Sequence, residues 1–302
     1  MELSGTVVPM ATPTRGTDRT VDVDTLRQFT ERLTETGVSG LFPASSIGEF
    51  PSLEPSAARR VVRTVTEATG ESTAVLAGCC GTSVDTVVAN VESAAAAGAD
   101  AAVVVSPYYL GTTQPGLERF FTAVAEEATL PFLLYNIPGL TGHQLEVDLV
   151  QSLATHENVI GLKDTSGDLT YHHRVIEATP PEFAVFQGAT EMAAASLGVG
   201  ADGIIAGPAN VFPAAMAALY EAHATGDRRT AEQLTRDVVL PVVTAYRDIP
   251  TAAAVKHLLK RDGLDVGEPL PPLPTLSAAE RERLDDCYAT VSARLQETPP
   301  AE

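Results

Sequence analysis

A TIM-type (β/α)8 barrel with a C-terminal helical extension is the fold class that this sequence predicts, on three observations. Eight short apolar runs recur at intervals of about 25 to 35 residues. Each run is continuous rather than alternating, as strands covered on both faces must be. Segments with helical spacing fill the gaps, so strand and helix alternate throughout the first 224 residues, and closing the parallel sheet on itself covers every strand. A doubly wound open sheet is the alternative, but eight units strain its usual size.

The runs in order are TVVPMATP from Thr6, VSGLFPAS from Val38, TAVLAGC from Thr73 and AAVVVSPYY from Ala101. PFLLYNIP follows from Pro131, VIGLKDTS from Val159, FAVFQGA from Phe183 and GIIAGPAN from Gly203. Helices are expected between them, over 22–36, 55–69, 84–97 and 115–128 among others. Ser83 is placed to cap one, Pro115 to occupy the first turn of another, and Gly37, Gly70 and Gly98 sit where helices should stop. Beyond the eighth unit, three helical stretches are expected at 227–246, 251–261 and 277–296, the last two separated by the connector EPLPPLP. The reading is a catalytic barrel over 1–224, an extension over 225–302 packed against it, and a disordered tail from Glu297.

With 44% apolar residues in 302, a large core is available, and with no Trp it must be filled by smaller side chains. The net charge is −19, and of twenty basic residues only Lys163, Lys256 and Lys260 are lysines. An excess of carboxylates with few lysines suits a protein in concentrated salt, where screening collapses to a few Å; this is read as halophilic adaptation. So acidic a chain is not expected to bind nucleic acid, which needs clustered cations. Three cysteines, two of them the neighbours Cys79 and Cys80, offer no disulfide framework. No signal peptide and no membrane-length apolar run is evident, so a cytoplasmic protein is expected.

Barrel enzymes carry their chemistry at the C-terminal ends of the strands. The second run leads into Ser45-Ser46-Ile47-Gly48-Glu49, the fourth ends in Ser106-Pro107-Tyr108-Tyr109, and the fifth in Tyr135-Asn136-Ile137-Pro138. The sixth carries Lys163 behind Val159, Ile160 and Leu162. An ammonium inside an apolar strand is costly unless it is paired or loses its proton. Asp164 is a poor partner, because adjacent strand residues point to opposite faces. A free amine in the barrel lumen is what Schiff-base chemistry requires. Taken singly the other residues have plainer readings: Tyr135 as a strand-capping ring, Tyr108 and Tyr109 as loop packing, Ser45 and Ser46 as helix caps. Gly188 can be a turn glycine, and His172-His173 reads as solvated helix surface. The histidines lack metal-ligand spacing, and no HExxH or Cys/His cluster occurs, which argues against a metal-dependent aldolase.

Together, the motifs SSIGEFPSL, PYY, YNIPGLTG and GLKDTSGD resemble, in order and spacing, the dihydrodipicolinate synthase / N-acetylneuraminate lyase family of class I, pyruvate-binding barrels. The resemblance spans nearly the whole chain. It implies that Lys163 forms the Schiff base, with no metal or cofactor, and that Tyr135 moves protons at the substrate. Ser46 and Ile47 fall where the family holds the pyruvate carboxylate through a pair of hydroxyls and backbone N–H groups. Tyr109 matches a tyrosine lent to a neighbouring subunit's proton relay, tuning Tyr135 together with Ser46, and Gly188 and Ile205 fall at backbone positions lining the pocket. Thr165, Thr190 and Glu191 are further candidates, for substrate hydroxyls. A homo-oligomer, a tetramer built as a dimer of dimers, is implied, acting on a small 2-oxo acid.

Three departures stand out. The second hydroxyl of the loop is replaced by Ile47 and its glycine by Ser45, so carboxylate binding there is expected to rely on Ser46, Ser45 and main-chain donors. The synthases' arginine after YNxP, which grips a carboxylate, is Leu140 here, not a conservative change. The sequence is therefore most similar to the sugar-acid aldolases, and cleavage of 2-keto-3-deoxygluconate (or its 6-phosphate) to pyruvate and glyceraldehyde (or its 3-phosphate) is expected. Dihydrodipicolinate synthase is the alternative, ahead of another pyruvate lyase or sugar-acid dehydratase, or a non-catalytic paralogue.

Overall fold

In the computed structural model, which describes residues 3–16 and 19–297, the eight apolar runs form eight parallel strands. These are β1 (Gly5–Pro9), β2 (Gly40–Phe42), β3 (Ala74–Gly78), β4 (Ala101–Val105), β5 (Phe132–Asn136), β6 (Val159–Asp164), β7 (Ala184–Gln187) and β8 (Gly203–Ile205). Consecutive strands pair in order, and β1 closes the ring by pairing with both β2 and β8, with Val7 opposite Gly40 on one side and Ile205 on the other. The (β/α)8 barrel is thus realised, and the extension follows it. A short hairpin of Thr14–Arg15 and Thr20–Val21 near the first strand was not anticipated.

Side-chain alternation then sorts each strand into two cores. Val7, Phe42, Leu76, Val103, Val105, Leu133, Tyr135, Phe186 and Ile205 share the cluster that fills the lumen. Val8, Leu41, Val75, Val104, Leu134, Leu162 and Ile204 join the larger cluster against the helices. Every strand is buried on both faces, so none needs the polar alternation of a half-exposed sheet.

The eight barrel helices are α1 (Val23–Thr34), α2 (Pro55–Ala68), α3 (Val84–Ala97), α4 (Gln114–Glu127), α5 (Val147–Leu153), α6 (Leu169–Ala178), α7 (Ala193–Gly198) and α8 (Pro213–Ala224). The Ser83 side chain caps α3 by accepting from Thr86 N, and Gly98 ends that helix in the left-handed region at φ 87°. Pro115 lies in the first turn of α4. Gly70 follows the Thr69 cap of α2, and Gly37 lies past the Glu35 cap of α1.

The extension comprises α9 (Arg228–Leu234), α10 (Leu240–Ala245), α11 (Thr251–Arg261) and α12 (Ala278–Glu297). The single helix expected over 227–246 is interrupted by a π-helical turn at Thr235–Val239. Pro241 has no N–H to give the Asp237 carbonyl, so the α ladder cannot run through this point. The expected tail is also displaced: Glu297 still belongs to α12, and 298–302 lie outside the described residues. Leu258, Leu259, Leu284 and Val291 of the extension belong to the same apolar cluster as the barrel helices. No helix among the described residues is long and apolar enough to cross a membrane.

A buried ion pair ties the extension to the barrel rim. Lys256 of α11 is 1% exposed, and its Nζ lies 2.5 Å from Glu49 Oε2 and donates to the Glu268 carbonyl at 3.1 Å. Glu49 Oε1 in turn accepts from Leu270 N at 2.5 Å. Glu49 itself has φ 59°, so its left-handed backbone must be held in place by these contacts. Lys256→Met should leave the Glu49 carboxylate buried and unpaired, at a cost of about 3–5 kcal/mol. Urea unfolding is expected to register that loss, and the Glu49→Gln/Lys256→Met double variant to recover much of it.

Candidate active site

The register of β5 on β6 builds the centre of the site. Tyr135 and Lys163 are opposite each other, and both point into the lumen. One residue further, Asn136 and Asp164 are again opposite but face the helices. Asn136 Nδ2 donates to Asp164 Oδ1 at 3.0 Å, and Asp164 Oδ2 lies 3.1 Å from His172 Nδ1. Ser166 N and its hydroxyl also donate to this carboxylate, which pins the β6–α6 loop. Asp164 therefore has a full set of partners on the far side of the strand and is not the counter-ion of Lys163. His172, expected on a solvated helix surface, is instead fully buried, because 171, 172 and 175 form the inward stripe of α6; His173 is exposed.

Lys163 is 5% exposed, and its Nζ sits 3.9 Å from the centre of the Tyr135 ring and 5.2 Å from that of Phe42. No hydrogen bond or carboxylate engages the amine among the described residues. The aromatic faces give it a weakly favourable surround without tying it up. The end of β7 leaves room beside it: a Cβ on Gly188 would stand 3.0 Å from Lys163 Cε and collide with Thr165 Oγ1. The Thr165 hydroxyl is buried and without a hydrogen-bond partner among the described residues.

Lys163 and Tyr135 open into a cavity of about 610 Å³ at the C-terminal ends of the strands, also lined by Ser46, Ile47, Thr165, Gly188, Thr190, Glu191 and Ile205. Nine sequence-derived candidates thus meet in one place. Two do not. Ser45 is fully buried behind the loop, where its Oγ accepts from Gly48 N at 3.1 Å, so it braces the loop instead of facing the cavity. Tyr109 lies outside, 94% exposed with φ 78°, beside exposed Leu110. Cys79 and Cys80 are both free and buried, and burial pushes the Cys80 thiol up to about 11, away from thiolate chemistry. No cluster of potential metal ligands exists among the described residues.

Sequence reasoning missed the wall that the extension provides. Val243, Tyr246, Arg247, Ile249, Pro250, Thr251 and Leu273 all line the cavity. The stretch Tyr246 to Pro250 joins α10 to α11 and carries no strand-end position, so the barrel rule does not reach it. Its only sequence signal is a turn between two helices that holds an arginine and a tyrosine. A wider, open groove of about 920 Å³ between α10 and α12 contains none of the strand-end residues.

Residues 2–290 match the model of the dihydrodipicolinate synthetase family. Among relatives, the chain is 35% identical over 271 residues to the 4-hydroxy-tetrahydrodipicolinate synthase of Methanoculleus marisnigri, covering 89% of this chain and 92% of that one. It is 34% identical to an uncharacterized DapA-like lyase of Halobacterium salinarum, covering 92% and 91%. In structure it is similar to the 4-hydroxy-tetrahydrodipicolinate synthase of Methylacidiphilum fumariolicum SolV, with a TM-score of 0.94, 28% identity and 98% of each chain covered. It is also similar to YagE of E. coli K12, a prophage protein of the same family solved with pyruvate, with a TM-score of 0.89, 28% identity and 99% of each chain covered. Barrel, strand-end lysine and near full-length similarity agree, and the chain belongs to the dihydrodipicolinate synthetase family.

Proposed function

We propose that this cavity is the active site of a pyruvate lyase in which Lys163 carries the 2-oxo acid and Tyr135 handles the proton of the bond-breaking step. One observation carries the reading: a buried amine with no hydrogen-bond or carboxylate partner among the described residues, 3.9 Å from the ring of the tyrosine opposite it in the sheet. Enzymes of the family are pyruvate-dependent lyases that hold pyruvate as a Schiff base on a lysine, without a metal or other cofactor.

In the cleavage direction, the Lys163 amine attacks the C2 carbonyl, and loss of water leaves an iminium that serves as an electron sink. Tyr135 takes the proton of the C4 hydroxyl as the C3–C4 bond breaks and the aldehyde departs. The bonding pair passes into an enamine. Protonation at C3 and hydrolysis then release pyruvate and restore the amine. Condensation of pyruvate with an aldehyde runs through the same steps in reverse.

The aldehyde partner is read from the rim. Leu140, 69% exposed, borders the cavity where the resemblance to the synthases implies an arginine, and Thr165, Thr190 and Glu191 offer groups suited to hydroxyls. These residues favour a sugar acid of the 2-keto-3-deoxygluconate type. Aside from Lys163, Arg247 is the only cation lining the cavity among the described residues, and it suits an anionic far end such as a 6-phosphate. The second reading is 4-hydroxy-tetrahydrodipicolinate synthase, and on similarity alone it is the better supported, because named relatives carry that activity. Arg247 would then be the cation left for the carboxylate of aspartate semialdehyde. The exposed Tyr109 and Leu110 beside the same rim favour a homo-oligomer, a tetramer built from dimers, with Tyr109 reaching a neighbouring site.

Turnover of 2-keto-3-deoxygluconate, its 6-phosphate, and pyruvate plus aspartate semialdehyde, side by side in molar KCl, separates the readings. Cleavage of either sugar acid is the expected result; condensation with the semialdehyde alone would establish the synthase. Lys163→Ala should abolish all turnover while its circular dichroism spectrum stays that of the parent, and appreciable activity in that variant sinks the assignment. Gly188→Ala, which crowds the lysine stem, should lower kcat by about a hundredfold.

A further inference from the structure

A 2-oxo acid on Lys163 presents its carboxylate to the cavity wall, and a buried carboxylate needs several donors. At the loop after β2, Ser46 brings a hydroxyl, but its neighbour Ile47 brings a methyl. The wall is completed two residues beyond β8 by Gly207, and what surrounds that glycine is informative. From the point where a Cβ on Gly207 would sit, Ile47 Cδ1 lies 3.1 Å away, the Tyr246 hydroxyl 3.5 Å and Thr251 Cγ2 3.8 Å. The Ile47 methyl and the Tyr246 hydroxyl therefore flank one spot on the wall.

Tyr246 comes from the turn after α10, in the extension. Its ring is packed, at 8% exposed, and it belongs to the lining of the same cavity as Lys163. No hydrogen bond engages its hydroxyl among the described residues, and that oxygen is not among the fully buried orphans. Burial, reinforced by the Glu191 carboxylate, pushes the phenol well above its ordinary value, so it stays a neutral O–H. It is a free donor, already held in place by its packing.

We infer that Tyr246 donates a hydrogen bond to the carboxylate of the 2-oxo acid held on Lys163, at the place where Ile47 supplies no hydroxyl. The extension thereby becomes part of the substrate site. This inference rests on the reading of Lys163 as the Schiff-base residue, so its test measures both.

The probe is pyruvate itself, trapped on the full chain with sodium borohydride and read as an adduct by intact mass over a range of pyruvate concentrations. Tyr246→Phe keeps the ring and its packing and removes only the donor. It should raise the half-saturating pyruvate concentration by about tenfold or more, as for a lost hydrogen bond to a charged group. Ile47→Thr added to Tyr246→Phe places a hydroxyl at the same spot, and should recover most of that loss. An unchanged titration in Tyr246→Phe overturns the inference while leaving Lys163 its role. A loss that Ile47→Thr does not restore also overturns it, since packing alone would then be at stake. Failure of the unaltered chain to form any adduct removes the Lys163 reading and this one together.

Discussion

The ion pair between Glu49 and Lys256 joins the loop after the second strand to a helix that lies beyond the whole barrel in sequence. Both charges are buried, so each depends on the other and on the backbone groups of Glu268 and Leu270. Pairs of this kind add little net stability over an apolar equivalent, but they tolerate no change of partner. What it secures is placement. Glu49 closes the loop that carries Ser46 and Ile47, and Lys256 anchors the helix that begins straight after the Tyr246–Pro250 turn. With the pair formed, the extension lies against the open end of the barrel and becomes a wall of the cavity.

Strand parity supplies the second constraint. One lumen position on β6 is a lysine and the facing position on β5 a tyrosine, while the next pair, Asn136 and Asp164, turns outward. The same two strands thus hold the proposed reacting groups on one face and the polar network that steadies their loops on the other. The Asp164–His172 contact and the Ser166 donors keep the β6–α6 loop in place without competing for the amine.

Much of this was legible in the sequence. Continuous apolar runs are the signature of strands covered on both faces, and they mark all eight. Lys163 stands out because a lysine inside such a run has no ordinary structural use. The failures have physical causes too. His172 looked solvated because its neighbour is, and only the helical stripe of 171, 172 and 175 turns it inward. Ser45 looked like a substrate contact, but a one-residue difference along a tight loop separates the oxygen that braces it from the one that faces the cavity. Tyr246 and Arg247 could not be found, since their place in the site comes from the docking of the extension, a long-range contact that no local pattern records.

Of the three lysines, Lys163 and Lys256 are buried and only Lys260 stands in the open, loosely near Asp265 at 3.9 Å. Arginine carries the rest of the positive charge. Sugars, aldehydes and oxo acids condense unselectively with accessible lysine amines, which is how proteins become glycated. This surface offers such compounds a single side-chain amine. On the proposed reading, a chain that works on a reactive carbonyl has almost no decoys on its exterior, and its reacting amine opens into the cavity at the mouth of the barrel.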